Sequence, residues 1–469
     1  MNGIDIYDYR GEGYARQVNG AKWTLAALNY AARFDERNIA DLERHNLTDE
    51  TFVLLAGEAT LLIGKDAERV KMEPLKYYNI RAGIWHNIIV SKDARVLVAE
   101  NADTSKDNTD YLDLKTGKVF RKRPTFEEVL PDTYLLKVPF GPVWTGVVLI
   151  RGTAAGRGGN VSGAPSPRQL NVLIDSSHLE PEKYLIPALG DLGLKVSDID
   201  WLLNTHVHGD HIGGHHALVT KYGLKTATLE SAADALRDPV KVAIRVRTRF
   251  PKNSPAPQSY LKGVEPDRLL KEGELLEGRF AVLATPGHDD DCLTWIDTKT
   301  GTAFTGDSLQ ANGTPTQGIG FYRDLAAYRR TLEKLETLVP PRGAAETFAA
   351  RLAPQIENVV CGHWYDGIGD VVRGREAVEA AFRYCEERVR LYDGKLREYM
   401  RCRREGAAET GEDRREGAAE TFAGRPRPAD DESLLVPLAR KLIGEVGCGM
   451  PDALFLALHT VSEHLREIG

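Results

Sequence analysis

Residues 205–214, with the sequence THVHGDHIGG, decide how the rest of the chain is interpreted. They follow DIDWLLN, a short apolar run that is typical of a β-strand. Side chains two positions apart lie on one face of an extended segment, and a glycine then lets the backbone turn. Within six positions the stretch holds His206, His208, Asp210 and His211. Because imidazole and carboxylate groups bind zinc and similar ions, this order predicts a metal site, whereas the alternative is a chance cluster of surface histidines.

Three isolated residues further along the chain each follow an apolar, strand-like run. They are His288 in LATPGHDDDC, Asp307 in TAFTGDSL and His363 in NVVCGHWY. In layered α/β folds, functional side chains gather where strands give way to loops, because the sheet holds their bases rigidly. We therefore predict that these three residues join the histidine cluster, and that the complete site forms only on folding.

Residues from about 134 to 390 resemble a metallo-β-lactamase-fold hydrolase. The order HxHxDH, then His, Asp and His, is the metal signature of that superfamily, and all seven positions match. The resemblance implies an αββα sandwich, in which two β-sheets pack face to face with helices outside and the site lies at one edge. It also implies two divalent metal ions, with zinc favoured and iron or manganese as alternatives.

The resemblance assigns each ligand to one of the two ions. His206, His208 and His288 would hold the first ion, Asp210, His211 and His363 the second, and Asp307 would bridge both. Asp210 is the implied catalytic residue, because it can orient the attacking water and move its proton. Zinc lowers the pKa of bound water from about 16 towards about 7, so a metal-bridging hydroxide can act as nucleophile at neutral pH.

The sequence GDSLQ at residues 306–310 resembles the glyoxalase II branch of the superfamily. The predicted reaction is therefore cleavage of a thioester or ester, as in a hydroxyacylglutathione hydrolase. Acyl-homoserine lactonases usually carry a tyrosine here, where this chain has Gln310 and Ala311. Three alternatives stay open: a lactonase or phosphodiesterase of the same fold, a dioxygenase that uses one iron on a persulfide, and a hydrolase regulated by a ligand-binding amino-terminal sensor.

Residues 1–115 contain several short strand-like runs, among them TFVLLAGEATLLIG at 51–64. They resemble a cupin, which implies a small all-β barrel. His45, Glu50 and His86 match parts of the two cupin metal motifs, but Leu47 stands where the second histidine is expected. We therefore favour a barrel without metal, which binds a small ligand or mediates assembly, over a metal site made of these residues.

Together these features predict a multidomain chain. The expected order is the cupin-like barrel at 1–115, a linker at 116–132, the hydrolase at 133–392 and a helical extension at 393–469. The sequence RREGAAET starts at residues 403 and 414, and GAAETFA starts at 343 and 417. Such few copies do not make a repeat fold, so we expect surface loops and a flexible segment at 403–430. The glycine-rich segment at 153–167 is expected to be a hairpin loop.

Two further stretches have features of helices. Arg245, Arg247 and Arg249 alternate with Val246 and Thr248 in a segment that we expect to pack as a helix over the metal site. A solvated helix face is the favoured interpretation of these arginines, and recognition of an anionic substrate group is the alternative. Beyond residue 374, apolar residues recur at helical spacing, which predicts helices that serve packing or dimerisation.

Composition excludes several classes of protein. With 42% hydrophobic residues, 28% charged residues and a formal net charge of −7, the chain is typical of a globular protein without general attraction for nucleic acid. No apolar run reaches the ~18 residues of a membrane span, and the first residues are too polar for a signal peptide. The five cysteines are scattered without a CxxC pair, as reduced thiols are. We expect a cytoplasmic enzyme with a small-molecule substrate, which could form a homo-oligomer through the cupin-like domain or the carboxyl-terminal helices.

Overall fold

The structure is a computed structural model, which describes residues 4–20, 22–102, 104, 109–152, 170–178, 180–339, 355–410, 428–449, 451 and 453–468. It separates into two compact units, Met1–Thr125 and Phe126–Gly469. The predicted hairpin loop at 153–167 lies outside the described residues. So do the GAAETFA copy at 343–349 and residues 411–427 of the predicted flexible segment.

The first unit is all β. Among its described residues the strands are β1 (Tyr14–Asn19), β2 (Trp23–Asn29), β3 (Asp41–His45), β4 (Glu50–Ala56), β5 (Ala59–Ile63), β6 (Glu68–Lys71), β7 (Tyr77–Ile80), β8 (His86–Val90), β9 (Arg95–Asn101), β10 (Thr109–Asp113) and β11 (Val119–Arg121). They pair into two sheets, with the orders β1-β2-β9-β4-β7 and β11-β10-β3-β8-β5-β6. The predicted all-β amino-terminal region is therefore confirmed.

The two sheets of this unit share one apolar core. Alternate residues of β2 are buried, and Leu28 joins Phe52 of β4 and Ile88 of the other sheet in that core. Strand β6, with the sequence ERVK, lies at a sheet edge and exposes charged side chains, as edge strands do. The strand pairings of the described residues thus leave open edges, and we find no closed barrel among them. The two sheets face each other across this core, and the closed barrel and the likeness to a cupin stay predictions.

The second unit contains two sheets that pack face to face. Among its described residues the strands are β12 (Phe126–Leu130), β13 (Thr133–Phe140), β14 (Val143–Ile150), β15 (Val172–Ile174), β16 (Trp201–Leu203), β17 (Thr226–Leu229), β18 (Arg268–Leu270), β19 (Leu275–Leu276), β20 (Phe280–Ala284), β21 (Leu293–Asp297), β22 (Thr302–Gly306), β23 (Asn358–Tyr365) and β24 (Gly369–Arg373). β12 to β18 form one sheet in sequence order, and β19 to β24 form the other. Leu135 and Leu203 of the first sheet share a buried core with Trp295 and Phe304 of the second.

Helices cover the outer faces of both sheets. Among the described residues they are α1 (Leu185–Asp191), α2 (Gly209–Ile212), α3 (His215–Thr220), α4 (Ala233–Arg237), α5 (Pro239–Thr248), α6 (Leu325–Thr337), α7 (Arg375–Thr410), α8 (Glu432–Val446) and α9 (Leu454–Ile468). Leu189 of α1 and Leu218 of α3 pack on the outside of the first sheet. Leu332 of α6 and Phe382 of α7 pack on the outside of the second. The order of layers is therefore α, β, β, α.

The three long helices α7, α8 and α9 confirm the predicted helical carboxyl-terminal end. α7 buries Phe382 and Tyr392, two of the apolar residues at helical spacing beyond residue 374. The helix continues across residue 392, where we predicted the end of the hydrolase domain, and ends at Thr410. None of the described helices has both the length and the hydropathy that a bilayer span needs.

Candidate metal centre

The local histidine cluster lies at the end of β16. The chain leaves this strand at Leu203, passes through His206 and His208 in extended conformation, and enters the short helix α2. The first turn of α2 carries Asp210 and His211. The predicted turn after His208 is thus helical, and it brings the second pair of side chains back towards the first.

The other three predicted ligands come from the second sheet. His288 follows β20 and Asp307 directly follows β22, as the strand-like runs predicted. His363 instead lies inside β23, where pairing with β24 shifts register between Val360 and Tyr365. Gly362 makes room for this arrangement, because a Cβ atom there would come within 2.6 Å of Asp307 Oδ1.

The structure brings all seven predicted residues together. Their donor atoms form three overlapping groups, each within 4.8 Å: His206 with His208 and His288, His206 with His211 and Asp307, and Asp210 with His211 and His363. Asp307 Oδ1 lies 3.3 Å from His211 Nε2, and Asp307 Oδ2 lies 3.5 Å from the Nε2 atoms of His288 and His363. Asp307 is therefore close to ligands predicted for each of the two ions.

Hydrogen bonds fix the ring orientation of these histidines from outside the cluster. The Nδ1 atoms of His288 and His363 donate to the main-chain oxygens of Phe321 and Trp144, at 2.9 and 2.6 Å. With these bonds the Nε2 atoms point inward, where each can bind a cation when it carries no proton. His208 is turned the other way: its Nε2 contacts Asp289 Oδ2 at 3.0 Å, and its Nδ1 points inward, 3.1 Å from His288 Nε2.

Two buried atoms of the cluster test whether a cation fits. His206 Nε2 and Asp307 Oδ1 are inaccessible to solvent, and neither makes a well-aligned hydrogen bond in the described protein, although Asp307 Oδ1 lies 3.3 Å from His211 Nε2. An unsatisfied buried polar atom costs about 1–3 kcal/mol, and a larger amount when it is charged. Imidazole nitrogen and carboxylate oxygen are ligands of zinc and of other divalent transition metals. The donor set therefore fits divalent metal ions, although it does not identify the metal.

The electrostatics of the cluster agree with this fit. Burial disfavours charge here and lowers the pKa of His288 to about 4, so that this ring is neutral. Despite the opposing effect of burial, His211 and His363 hold the pKa of the Asp210 carboxyl below its ordinary value. Burial also opposes protonation of His363, but Asp307 and Asp210 raise its pKa to about 10. Since a cation would replace the proton on His363, we expect metal binding to release protons.

Two further carboxylates contact ring nitrogens of metal-centre histidines on the side that faces away from the cluster. Asp175 accepts a hydrogen bond from His211 Nδ1 at 2.8 Å and has a positive φ of 62°. Asp289 contacts His208 and was missed by the sequence interpretation, although it directly follows His288. Its position in HDDD was the one available signal.

The structure corrects the expected solvated face of arginines on α5. Arg245 pairs with Asp289 behind His208, and with Asp290 at 2.7 Å. Residue Arg249, just beyond the end of α5, is mostly buried and pairs with two carboxylates of the carboxyl-terminal region, Asp430 at 3.2 Å and Glu463 at 2.9 Å. These side chains fasten α5 to the metal centre on one side and to the region of α9 on the other.

A cleft of about 500 Å³ opens above the cluster. Five of the seven predicted ligands line it: His208, Asp210, His288, Asp307 and His363. Its walls include Phe140 at the end of β13, Arg247 of α5, Phe321, and Phe455 of α9. α9, one of the carboxyl-terminal helices that we expected to serve packing or dimerisation, thus also contributes to the wall of the candidate site.

A second group of histidines and acids lies in the first unit. The Nε2 atoms of His45 and His86 lie 3.1 and 2.9 Å from the same oxygen, Glu50 Oε2. Glu43 and Glu100 bring further carboxylates to within 4.8 Å of some of these groups. We call these five residues the amino-terminal cluster; its first three members are the residues that the cupin motifs singled out.

Comparison with known proteins agrees with the geometry of the second unit. The family model described as Metallo-beta-lactamase superfamily matches residues 168–343. A probable metallo-hydrolase of Burkholderia pseudomallei (strain 1710b) is 30% identical over 223 residues, which cover 42% of this chain and 70% of that protein. Glyoxylase B2 of Dictyostelium discoideum is 24% identical over 168 residues, so that the matched part covers 33% of this chain and only 55% of the glyoxylase. A crystal structure of a metallo-beta-lactamase family protein from Thermus thermophilus has a TM-score of 0.45 at 20% identity, covering 73% of this chain and 95% of that one.

Proposed function

Because the chain belongs to the metallo-beta-lactamase superfamily, we propose that it is a hydrolase that uses two divalent metal ions, zinc in the first place, to cleave a thioester or ester. Members of the superfamily are generally hydrolases. The likeness of GDSLQ to the glyoxalase II branch and the match to glyoxylase B2 favour a thioester. The proposal concerns the cleft of the second unit, where the seven donors meet.

The position of Asp307 is the observation that carries this proposal. Its two carboxylate oxygens reach ligands of both predicted ions, which fits a shared bridging ligand. A single ion would need only one of the donor groups, whereas the cluster offers three overlapping ones. Two adjacent ions, when bound, would activate a water molecule at neutral pH and polarise the scissile carbonyl.

Asp210 would move the proton during the reaction. Its Oδ2 lies 3.2 Å from His363 Nε2 and 3.4 Å from the hydroxyl of Thr145, and the side chain lines the cleft. Since its lowered pKa keeps the carboxylate ionised, Asp210 can accept a hydrogen bond from a water molecule in the cleft. It would receive the proton of that water as the oxygen attacks the carbonyl carbon, and pass the proton to the leaving thiolate or alkoxide.

The walls of the cleft would hold the substrate. Val143, Val246, Phe321 and Phe455 provide an apolar surface on which the carbon chain of a substrate can pack. Tight packing there places the carbonyl beside the metal ligands and keeps bulk water away from the reacting atoms. α9 would therefore belong to the substrate-binding part of the enzyme.

Metal content and a substrate panel test the proposal together. We expect about two zinc ions per purified chain, and release of free thiol from thioesters at a higher kcat/KM than release from lactones or phosphodiesters. One iron per chain, with oxygen consumed in the presence of a persulfide, would replace the proposal by the dioxygenase alternative. Faster turnover of lactones or phosphodiesters would keep the metal centre and replace the substrate class.

A further inference from the structure

The alternating arginines of this region fall into two kinds. Arg245 and Arg249 are held in the ion pairs described above. Among the described residues, Arg247 has no ion-pair partner. It is half-buried and lines the cleft above the metal ligands. The unpaired cation is thus the one that faces the candidate substrate.

The surroundings of Arg247 hold the guanidinium in place without neutralising it. Its guanidinium carbon lies 4.7 Å from the ring centroid of Phe455, a cation–π contact with α9. Burial lowers the pKa of this guanidinium below its ordinary value, which reflects the cost of removing its charge from water. A positioned and partly desolvated cation that forms no ion pair among the described residues can bind an anion from solution.

Other donors line the same cleft. Lys252 lines the cleft and, within the described part of the chain, has no ion-pair partner. The hydroxyl oxygens of Ser254 and Thr316 are buried, line the cleft and have no hydrogen-bond partner in the described protein. Two cations without an ion-pair partner among the described residues, and two hydroxyl groups without a hydrogen bond there, therefore line the cleft above the metal ligands.

We propose that Arg247 and Lys252 form an anion subsite, which binds a carboxylate or phosphate group of the substrate while the scissile carbonyl lies at the metal centre. The inference rests on the proposed hydrolysis in this cleft. The planar guanidinium can donate two parallel hydrogen bonds to such a group, and Ser254 and Thr316 can donate further ones. A neutral substrate would bury these donors without partners, so the subsite would select charged thioesters over neutral ones.

Three acetyl thioesters test this selectivity: those of N-acetylcysteine, which carries a carboxylate, of coenzyme A, which carries phosphates, and of N-acetylcysteamine, which is neutral. For the wild-type enzyme we expect at least about a tenfold lower KM for one of the charged thioesters than for the neutral one. Arg247→Gln should remove that difference by raising the KM of the charged thioester, with kcat nearly unchanged. Arg247→Lys should keep part of the KM difference. Whichever charged thioester has the lower KM shows whether the subsite prefers a carboxylate or a phosphate.

The control is Arg330→Gln, which removes the same charge from an exposed position of α6 outside the cleft and should leave every KM unchanged. Equal effects of Arg247→Gln on charged and neutral thioesters would overturn the subsite. A second readout, binding of succinate and of inorganic phosphate measured by calorimetry, does not depend on turnover. If the wild type cleaves no thioester, the proposed reaction fails, yet a tenfold loss of succinate or phosphate binding in Arg247→Gln still supports the subsite. Unchanged binding of both anions would then reject it.

Discussion

Each of the two compact units contains one group of histidines and acids, and the two groups differ in how their atoms are satisfied. In the amino-terminal cluster both Nε2 atoms contact Glu50, while the Nδ1 atoms contact Thr109 Oγ1 at 2.8 Å and the main-chain oxygen of Ile84 at 3.0 Å. Every ring nitrogen there has a protein partner. In the metal centre, His206 Nε2 has no hydrogen-bond partner within the described protein.

This difference shows that converging histidines and acids do not by themselves indicate a metal site. One carboxylate between two imidazoles can form a closed hydrogen-bonded ion pair, and such a group is stable without a cation. All five histidines of the metal centre also have outer hydrogen bonds, but the inner Nε2 atom of His206 has no hydrogen-bond partner in the described protein. We therefore expect function to depend on the metal centre and stability of the first unit to depend on the amino-terminal cluster.

Replacement of the proposed proton carrier should produce the largest effect. Asp210→Ala removes the carboxylate that would receive the proton of the attacking water, so we expect thioester kcat/KM to fall about a thousandfold. The midpoint of thermal unfolding should change little, because the helices and strands around α2 remain. The assay is thiol release at saturating metal, with circular dichroism as the check on folding.

Asp234→Ala is the matched control for this variant. Asp234 lies on α4 with its side chain 98% exposed, and it does not line the cleft. Its replacement should leave turnover within twofold of the wild type. Near-wild-type turnover of metal-replete Asp210→Ala would refute the catalytic role and leave Asp210 as a metal ligand only.

The second-largest effect should come from metal removal, which we expect to affect the metal centre and not the amino-terminal cluster. A metal ion whose free concentration is about a thousand times its dissociation constant stabilises the folded state by about 4 kcal/mol. Chelation should therefore lower the unfolding free energy of the second unit by that amount. Hydrogen exchange should rise in β16 and β22 while it stays unchanged in β4 and β8 of the first unit. His363→Ala should lower the metal content from about two ions to about one, and His86→Ala should not change it. A loss of metal in His86→Ala would show that the amino-terminal cluster also binds an ion.

The sequence predicted those parts of the site that depend on local spacing. His206, His208, Asp210 and His211 lie within one strand end and one helical turn, so their convergence follows from backbone geometry. His288 and Asp307 could be located because each follows an apolar strand that the sheet holds in place. His363 was found at the right place in the chain but inside β23, because a register irregularity is not visible in an apolar run.

The missing parts depend on contacts between distant segments. Arg249 pairs with Asp430, 181 positions away, and Phe455 of α9 reaches the cleft from the carboxyl-terminal end. Such contacts decide which of three alternating arginines stays unpaired, and helical spacing carries no information on them. The same holds for the first unit, where the strands were predicted but the closure of a barrel depends on edge pairing that alternation does not encode.

Disruption of the closed ion pair should have a smaller effect, confined to stability. Glu50→Gln leaves His45 and His86 buried without their carboxylate, and we expect the first unit to lose about 3 kcal/mol of unfolding free energy. Hydrogen exchange in β4 and β8 reports this loss in the full chain. Glu68→Gln on the exposed edge strand β6 makes the same chemical change and should cost less than about 0.5 kcal/mol. Reduced thioester turnover in Glu50→Gln would contradict the separation of roles.

The smallest expected effect is the pH dependence of this ion pair. Despite burial, hydrogen bonds from His45 and His86 lower the pKa of Glu50 to about 2. The contribution of Glu50 to the stability of the folded first unit is therefore complete above the unfolded pKa of about 4.3, and it is lost as the pH falls through about 2. Burial opposes protonation of His86, but Glu50 raises the pKa of this imidazole. The contribution of His86 to folding stability is therefore complete below the unfolded pKa of about 6.5, and it is lost as the pH rises through the raised folded-state pKa. Protection of β4 and β8 should therefore be greatest between about pH 4.5 and 6.5 in the wild type, and this maximum should be absent in Glu50→Gln. A maximum of equal height in the variant would assign the pH dependence to other groups.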